Sequence, residues 1–169
     1  MRVLGVDPGL RHTGYGLLDA STRGPGLVDA GIIHTSVRSS VPLRLRELYA
    51  GFAQVIDEGR PELIVMEDPF AHPGFPRTAI IMGQVCGVIQ LAAAHAGVPV
   101  DALPPASVKR AVAASGQAGK RQVQRMVRVL LALGEDPASH VADALALALA
   151  AASRRGLPVT FRAHVRGSA

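Results

Sequence analysis

Only one cysteine, Cys86, occurs in the 169 residues. No disulfide can form within the chain, so the fold must stand on packing alone, which suits a reducing cytoplasm. An export signal is also missing: the apolar stretch after Arg2 is short and ends at Asp7-Pro8-Gly9, well before the length of a signal-peptide core. The longest uncharged run, Thr78 to Ala94, is interrupted by Gln84, Gln90 and two glycines. It reads as a buried helix rather than as the roughly 20 apolar residues that cross a bilayer. Internal repeats, low-complexity tracts and linkers are absent as well. These absences leave one soluble cytoplasmic domain over residues 1–155, with no membrane partner, and a tail over 156–169 that can be disordered.

A further absence is local. Between Asp101 and Glu135 there is no acidic residue, yet Lys109, Arg110, Lys120, Arg121, Arg125 and Arg128 all fall there. The whole chain carries a formal charge of +5 and a pI near 10.3. A basic stretch without balancing carboxylates points to a polyanion such as nucleic acid. Hydrophobic residues make up 49% of the sequence, enough for one sizeable core.

Pattern along the chain predicts the elements. Arg2 to Val6 reads as a strand ended by Asp7-Pro8-Gly9, since proline and glycine interrupt a central strand. Strands around Gly14–Asp19 and Leu27–Thr35, joined by a Gly- and Pro-containing turn, continue an antiparallel meander. Ser40 is placed to cap a helix in which Leu45, Leu48, Tyr49, Phe52 and Ile56 recur at helical spacing before Gly59. Leu63 to Met66 is a short continuous apolar run of the kind buried on both faces of a sheet, and it delivers Glu67 at its end. Helices from Thr78 to His95, from Pro105, from Lys120 to Leu133 and from Pro137 to Ser153 follow, with a strand at Val98–Leu103 between the first two. A meander followed by alternating helices and strands gives a mixed five-stranded α/β sheet flanked by helices, an order that matches the RNase H-like fold.

Asp7 and Glu67 end two strands expected to run parallel, so both carboxylates belong to one rim of the sheet, where ligands bind in open α/β folds. His140 and Asp143, three residues apart on the last helix, project from one face. Singly, each has an ordinary reading: Asp7 as a turn former, Glu67 as a strand terminator, His140 and Asp143 as first-turn residues. Together they form an oxygen-rich cluster whose mutual repulsion a divalent cation would relieve. Two ions about 4 Å apart can activate water and stabilise the leaving oxygen in phosphodiester hydrolysis.

At these residues the chain resembles the RuvC family of Holliday junction resolvases. The resemblance runs through Val3-Leu4-Gly5-Val6-Asp7-Pro8-Gly9, Thr13-Gly14-Tyr15-Gly16, Glu67-Asp68-Pro69-Phe70 and Gly83-Gln84-Val85-Cys86-Gly87. It continues through Val108-Lys109, Lys120-Arg121-Gln122-Val123-Gln124 and Ala142-Asp143-Ala144-Leu145-Ala146. It implies a dimeric, Mg²⁺-dependent endonuclease that makes paired nicks in two like-polarity strands of four-way junction DNA in recombination and repair. It further implies partnership with the RuvA and RuvB branch-migration proteins. Asp7, Glu67, His140 and Asp143 take the family's catalytic and metal positions, with two Mg²⁺ per site or Mn²⁺ in their place. His140 departs from the all-carboxylate version, and imidazole favours manganese over magnesium. Phe70 matches an aromatic that stacks on unpaired bases at the crossover, and Lys109 and Lys120 match phosphate-binding positions. The 71–77 loop looks one residue longer than usual and lacks an asparagine often found there.

Arg121, Arg125 and Arg128 share one helix face opposite Val123, Met126, Val127 and Leu130, an arrangement suited to phosphate. Two equivalent nicks call for two equivalent sites, hence a twofold homodimer, and the Thr78–His95 helix, with Gly83 and Gly87, is a candidate seam. The competing readings are an ATP-binding protein of the actin and sugar-kinase superfamily, opposed by the short chain, a catalytically silent junction-binding module, and a YqgF-type nuclease acting on RNA.

Overall fold

The computed structural model describes residues 1–68 and 76–159. Its elements are β1 (Arg2–Asp7), β2 (His12–Ser21), β3 (Gly24–His34), α1 (Val41–Gly59), β4 (Leu63–Glu67), α2 (Pro76–His95), β5 (Val100–Leu103), α3 (Pro105–Ala113), α4 (Lys120–Leu130) and α5 (Ser139–Arg154). The strands form one sheet in the order β3-β2-β1-β4-β5. β1, β2 and β3 pair antiparallel, and β4 and β5 run parallel to β1. Pro25 is tolerated in β3 because that strand lies at the sheet's edge.

Strand alternation divides the core in two. Val3, Leu63 and Val65 face a cluster with Val123, Val127, Leu145 and Leu149, contributed by α4 and α5. Leu4, Val6, Ile64 and Met66 face the opposite cluster with Leu48, Phe52, Val85 and Ile89, contributed by α1 and α2. Because β4 is apolar from Leu63 to Met66, both of its faces are buried over that run. The period of two also assigns Asp7 and Glu67 to the α5 side, in step with Val3 and Val65.

The elements follow the local sequence signals in kind and differ from them in detail. Ser40 occupies the N-cap position of α1, yet its side chain makes no capping hydrogen bond. Gly59 is the last helical residue rather than the terminator, and Arg60 takes the left-handed conformation at φ 49°. Helix α4 stops at Leu130, not Leu133. The largest departure is α2. Its inner residues Val85, Cys86, Ile89, Ala92 and Ala93 are buried, but only 28% of the Thr78–His95 window is. By length and composition alone it is apolar enough to span a membrane, with a mean hydropathy of 1.4. Instead of a buried helix, the structure shows one packed face and one open face. At the C-terminus Leu157 and Val159 still pack against the α5-side core, and residues 160–169, with Arg162 and Arg166, lie outside the described residues.

Candidate active site

Parallel pairing of Val6 with Met66 brings the next residues, Asp7 and Glu67, to adjacent positions at the C-terminal rim of β1 and β4. Helix α5 then lies directly across β1 and β2, which only the small residues beneath it permit. A Cβ on Gly5 would collide with the carbonyl oxygen of Ala144, and one on Gly14 with that of His140. On the facing side of α5, Ala144 and Ala148 are fully buried. This glycine-on-alanine contact sets the height of the helix, and so delivers His140 and Asp143 to the carboxylates.

The β1–β2 connection is tied down independently. The Thr13 hydroxyl donates to the Gly9 carbonyl at 2.7 Å and accepts from the Gly9 amide at 3.3 Å. The Thr35 hydroxyl donates to the Leu10 carbonyl and accepts from Arg44 Nε at 3.0 Å. Thr13 and Thr35 are the buried polar residues among those described, and both are spent on holding the turn that follows Asp7.

Asp7, Glu67 and Asp143 line one cleft of about 240 Å³, together with Lys109 and Lys120. Its floor is apolar, built by Val108, Val123, Ala146 and Leu147. His140 stands on the other flank of Asp7, with Nδ1 at 2.7 Å from Oδ2. Lys120 Nζ is 3.1 Å from Asp143 Oδ2.

Burial is the main reason that Asp7 titrates above the ordinary carboxylate range; its hydrogen bond to His140 offsets this in part, and the charge of Asp143 adds to the rise. Glu67 is raised by desolvation first, then by Asp7 and Asp143, with Lys109 and Lys120 pulling the other way. Both shifts mark a site where negative charge is held at a cost.

Three carboxylates and one imidazole form a donor set suited to a hard divalent ion with partial nitrogen ligation. The raised carboxylates are what such an ion would relieve, and the residues therefore fit it. Among the described residues no three of these groups are yet gathered tightly enough to ligate one ion, because His140 engages Asp7 and Lys120 engages Asp143.

The basic residues separate into three groups. Lys109 and Lys120 enter the cleft. Arg121 and Arg125 stand exposed on α4. Arg128 is instead engaged by Asp136, with Nε at 3.3 Å from Oδ1, so the three arginines do not act as one free row. Phe70 and the loop 71–75 lie outside the described residues, as do the side-chain surroundings of Arg77. Residues that sequence reasoning did not single out as chemistry include His12 and His34, which pair across β2 and β3 beside the site. A cross-strand register between two histidines 22 residues apart is visible only once the hairpin is aligned.

With this geometry in place, comparison with known proteins is informative. Residues 3–151 match the family model described as crossover junction endodeoxyribonuclease RuvC. The chain is 42% identical over 159 residues to the crossover junction endodeoxyribonuclease RuvC of Halorhodospira halophila, covering 94% of each. It is 45% identical over 150 residues to that of Pelotomaculum thermopropionicum, covering 88% of this chain and 91% of the relative. The structure superimposes on Thermus thermophilus RuvC in complex with Holliday junction substrate with a TM-score of 0.83 at 34% identity, over 92% of this chain and 96% of that one. A yeast mitochondrial Holliday junction resolvase shares the fold, with a TM-score of 0.66 at 15% identity.

Proposed function

This chain belongs to the RuvC family of crossover junction endodeoxyribonucleases, and from that premise we propose that it resolves four-way DNA junctions by paired, metal-dependent nicking of two like-polarity strands. The observation that carries the proposal is the cleft itself: three carboxylates from β1, β4 and α5 converge where Lys109 and Lys120 supply positive charge. Such a cleft attracts a phosphodiester through its lysines and repels it through its carboxylates unless cations intervene. That combination is what metal-assisted phosphoryl hydrolysis requires, and a silent binding module has no use for it.

In this reading Asp7, Glu67, Asp143 and His140 hold divalent ions, two per site, magnesium or manganese. When bound, these supply Lewis-acid stabilisation of the phosphate and lower the pKa of water. The chain's own residues do the rest. Lys109 and Lys120 anchor phosphate oxygens of the scissile strand. Were Asp143 to hold an ion instead of Lys120, the lysine would be free to meet the substrate. The apolar floor of the cleft lowers the polarity beneath the carboxylates, which strengthens their charge interactions on that side. His140 holds Asp7 in place through Nδ1 and would offer its other nitrogen to an ion. The attacking water gives its proton to solvent as it adds to phosphorus, the bond to the 3′ oxygen breaks, and that oxygen takes a proton from solvent. The products are a 5′ phosphate and a 3′ hydroxyl, ends that ligase can rejoin. Arg121 and Arg125 track an arm of the junction, and Phe70 stacks at the crossover.

A homodimer supplies the second nick. The open face of α2 carries Ile80, Gly83, Gln84, Gly87 and Leu91 at helical spacing, with Ile80 64% and Leu91 50% exposed. A Cβ on Gly83 or Gly87 would meet nothing within 4 Å, so a second copy's helix has room to approach closely. Family membership extends the proposal to a cytoplasmic role beside the branch-migration proteins RuvA and RuvB.

The deciding experiment compares a synthetic four-way junction with matched linear duplex, in magnesium, manganese or EDTA, for the wild type and Asp7→Asn. Paired nicks in the junction alone, lost in Asp7→Asn while junction binding survives, are the expected result. Tight junction binding without cleavage under either metal, across junctions of varied core sequence, would leave a binding module.

A further inference from the structure

His12 opens β2 and His34 closes β3, and the two are direct partners in the antiparallel register. Their Nδ1 atoms are 2.9 Å apart. The rings meet edge to face, with centroids 4.9 Å apart and planes at 82°. A hydrogen bond between two imidazoles needs one ring to donate and the other to accept. When the donating ring shifts its proton from Nδ1 to Nε2, both Nδ1 lone pairs become available as the donor pair of a cis-ligated transition metal. Two nitrogens each at about 2.0–2.1 Å from a metal lie about 2.9 Å apart at a right angle and about 3.4 Å apart at the tetrahedral angle. The observed separation matches the first and lies a small side-chain movement from the second.

We infer that His12 and His34 form a binding site for a borderline divalent transition-metal ion, of the zinc, nickel or copper class, distinct from the carboxylate cluster. Nitrogen donors select that class against magnesium. The pair stands on the rim of the active site, with the His12 ring centroid 6.0 Å from that of His140. Among the described residues no third acidic, histidine or cysteine ligand completes the set, so water fills the remaining positions. Arg11, the next residue along the turn, opposes a further positive charge. Selection therefore comes from the donor atoms rather than from a field that attracts cations.

His12 titrates below the ordinary imidazole value, through desolvation first and then through His34, Arg11 and His140, a shift toward the unprotonated ring that a metal requires. Fixing both rings to two adjacent strands removes much of the ordering cost of bringing two ligands together. An ion seated there would add a double positive charge next to the flank of His140, outside the cleft that holds the catalytic carboxylates.

The test is titration of the metal-free full-length protein with zinc chloride, followed by calorimetry and by the imidazole nitrogen resonances of His12 and His34. It is run in the wild type, His12→Ala, His34→Ala, and a Glu67→Gln/Asp143→Asn double variant that weakens the carboxylate cluster. Zinc binding is expected to persist in the double variant and in millimolar magnesium, with the His12 and His34 ring signals moving. Since losing even an indirect partner costs about 10–100-fold in metal affinity, His12→Ala and His34→Ala should each weaken this site at least about tenfold. His34 lies exposed at the end of an edge strand, so its replacement leaves the fold intact by circular dichroism. Three outcomes would overturn the inference: no zinc binding, affinity unchanged in His34→Ala, or zinc that is displaced by magnesium and lost in the double variant. The readout is metal binding, so it stands or falls apart from junction cleavage.

Discussion

Glu67 carries a charge that the folded protein disfavours, and this gives the residue scale its sharpest expectation. Its folded pKa is raised above the ordinary 4.5, so the native state holds the proton more tightly than the unfolded chain. The associated stability is fully present below the unfolded pKa, and it is lost as pH rises through the folded value. Glu67→Gln should therefore melt slightly higher than the wild type near pH 7, a small gain because solvent screens this exposed side chain, and the gap should close as pH falls toward 4.5. Added magnesium should stabilise the wild type and leave Glu67→Gln less affected, by thermal melts across pH. His140 yields a second expectation. Exchanging its nitrogen for oxygen in His140→Asp should raise cleavage in magnesium relative to manganese, read as the ratio of single-turnover rates in the two metals.

At the scale of elements, the decisive contact is α5 on the glycines of β1 and β2. Gly14→Ala would force its methyl against the backbone of His140. Overpacking of that kind costs about 1–3 kcal/mol, and here it would also lift the helix end that carries His140 and Asp143. Denaturant melts should report the stability loss, and junction cleavage should fall further than stability alone explains. Gly83→Ala on α2 is the contrast, read in denaturant melts at concentrations that keep the chain monomeric, because Gly83 also belongs to the proposed seam. Its Cβ meets nothing, and helix propensity predicts a gain of up to about 1 kcal/mol. Much of this architecture was legible in sequence, because β4's unbroken apolar run and the 3.6-residue period of α1 each state which face is buried. The state of α2 was not. Its apolar residues surround the helix, so periodicity could not say which side meets the core and which remains open.

For the whole molecule, symmetry and charge make the expectations. If α2 forms the seam, Leu91→Arg should leave the monomer's stability within about 0.5 kcal/mol, as for other surface substitutions. Sedimentation should nonetheless shift toward monomer, and the two nicks in a junction should become uncoupled. Junction affinity should fall with salt, and removing Lys120 or Arg121 should reduce the slope of log K against log salt by about one unit each. Arg128→Ala should change that slope less, since its guanidinium is engaged by Asp136.

Much could be read from the sequence alone. The strand ends that present Asp7 and Glu67, the helical spacing of His140 and Asp143, the basic α4 and the RNase H-like order of elements all follow from local pattern, which is written in consecutive residues. Other features depended on distant segments meeting. Helix α5 rests on Gly5 and Gly14 at a height that no local pattern specifies, and Arg128 turned from a row of free arginines to Asp136 because a later loop folds back beside it. His12 and His34 became neighbours because a hairpin set their register. Local propensity acts through backbone dihedrals and side-chain period; pairing, height and register are settled only when the core closes and excludes every alternative packing.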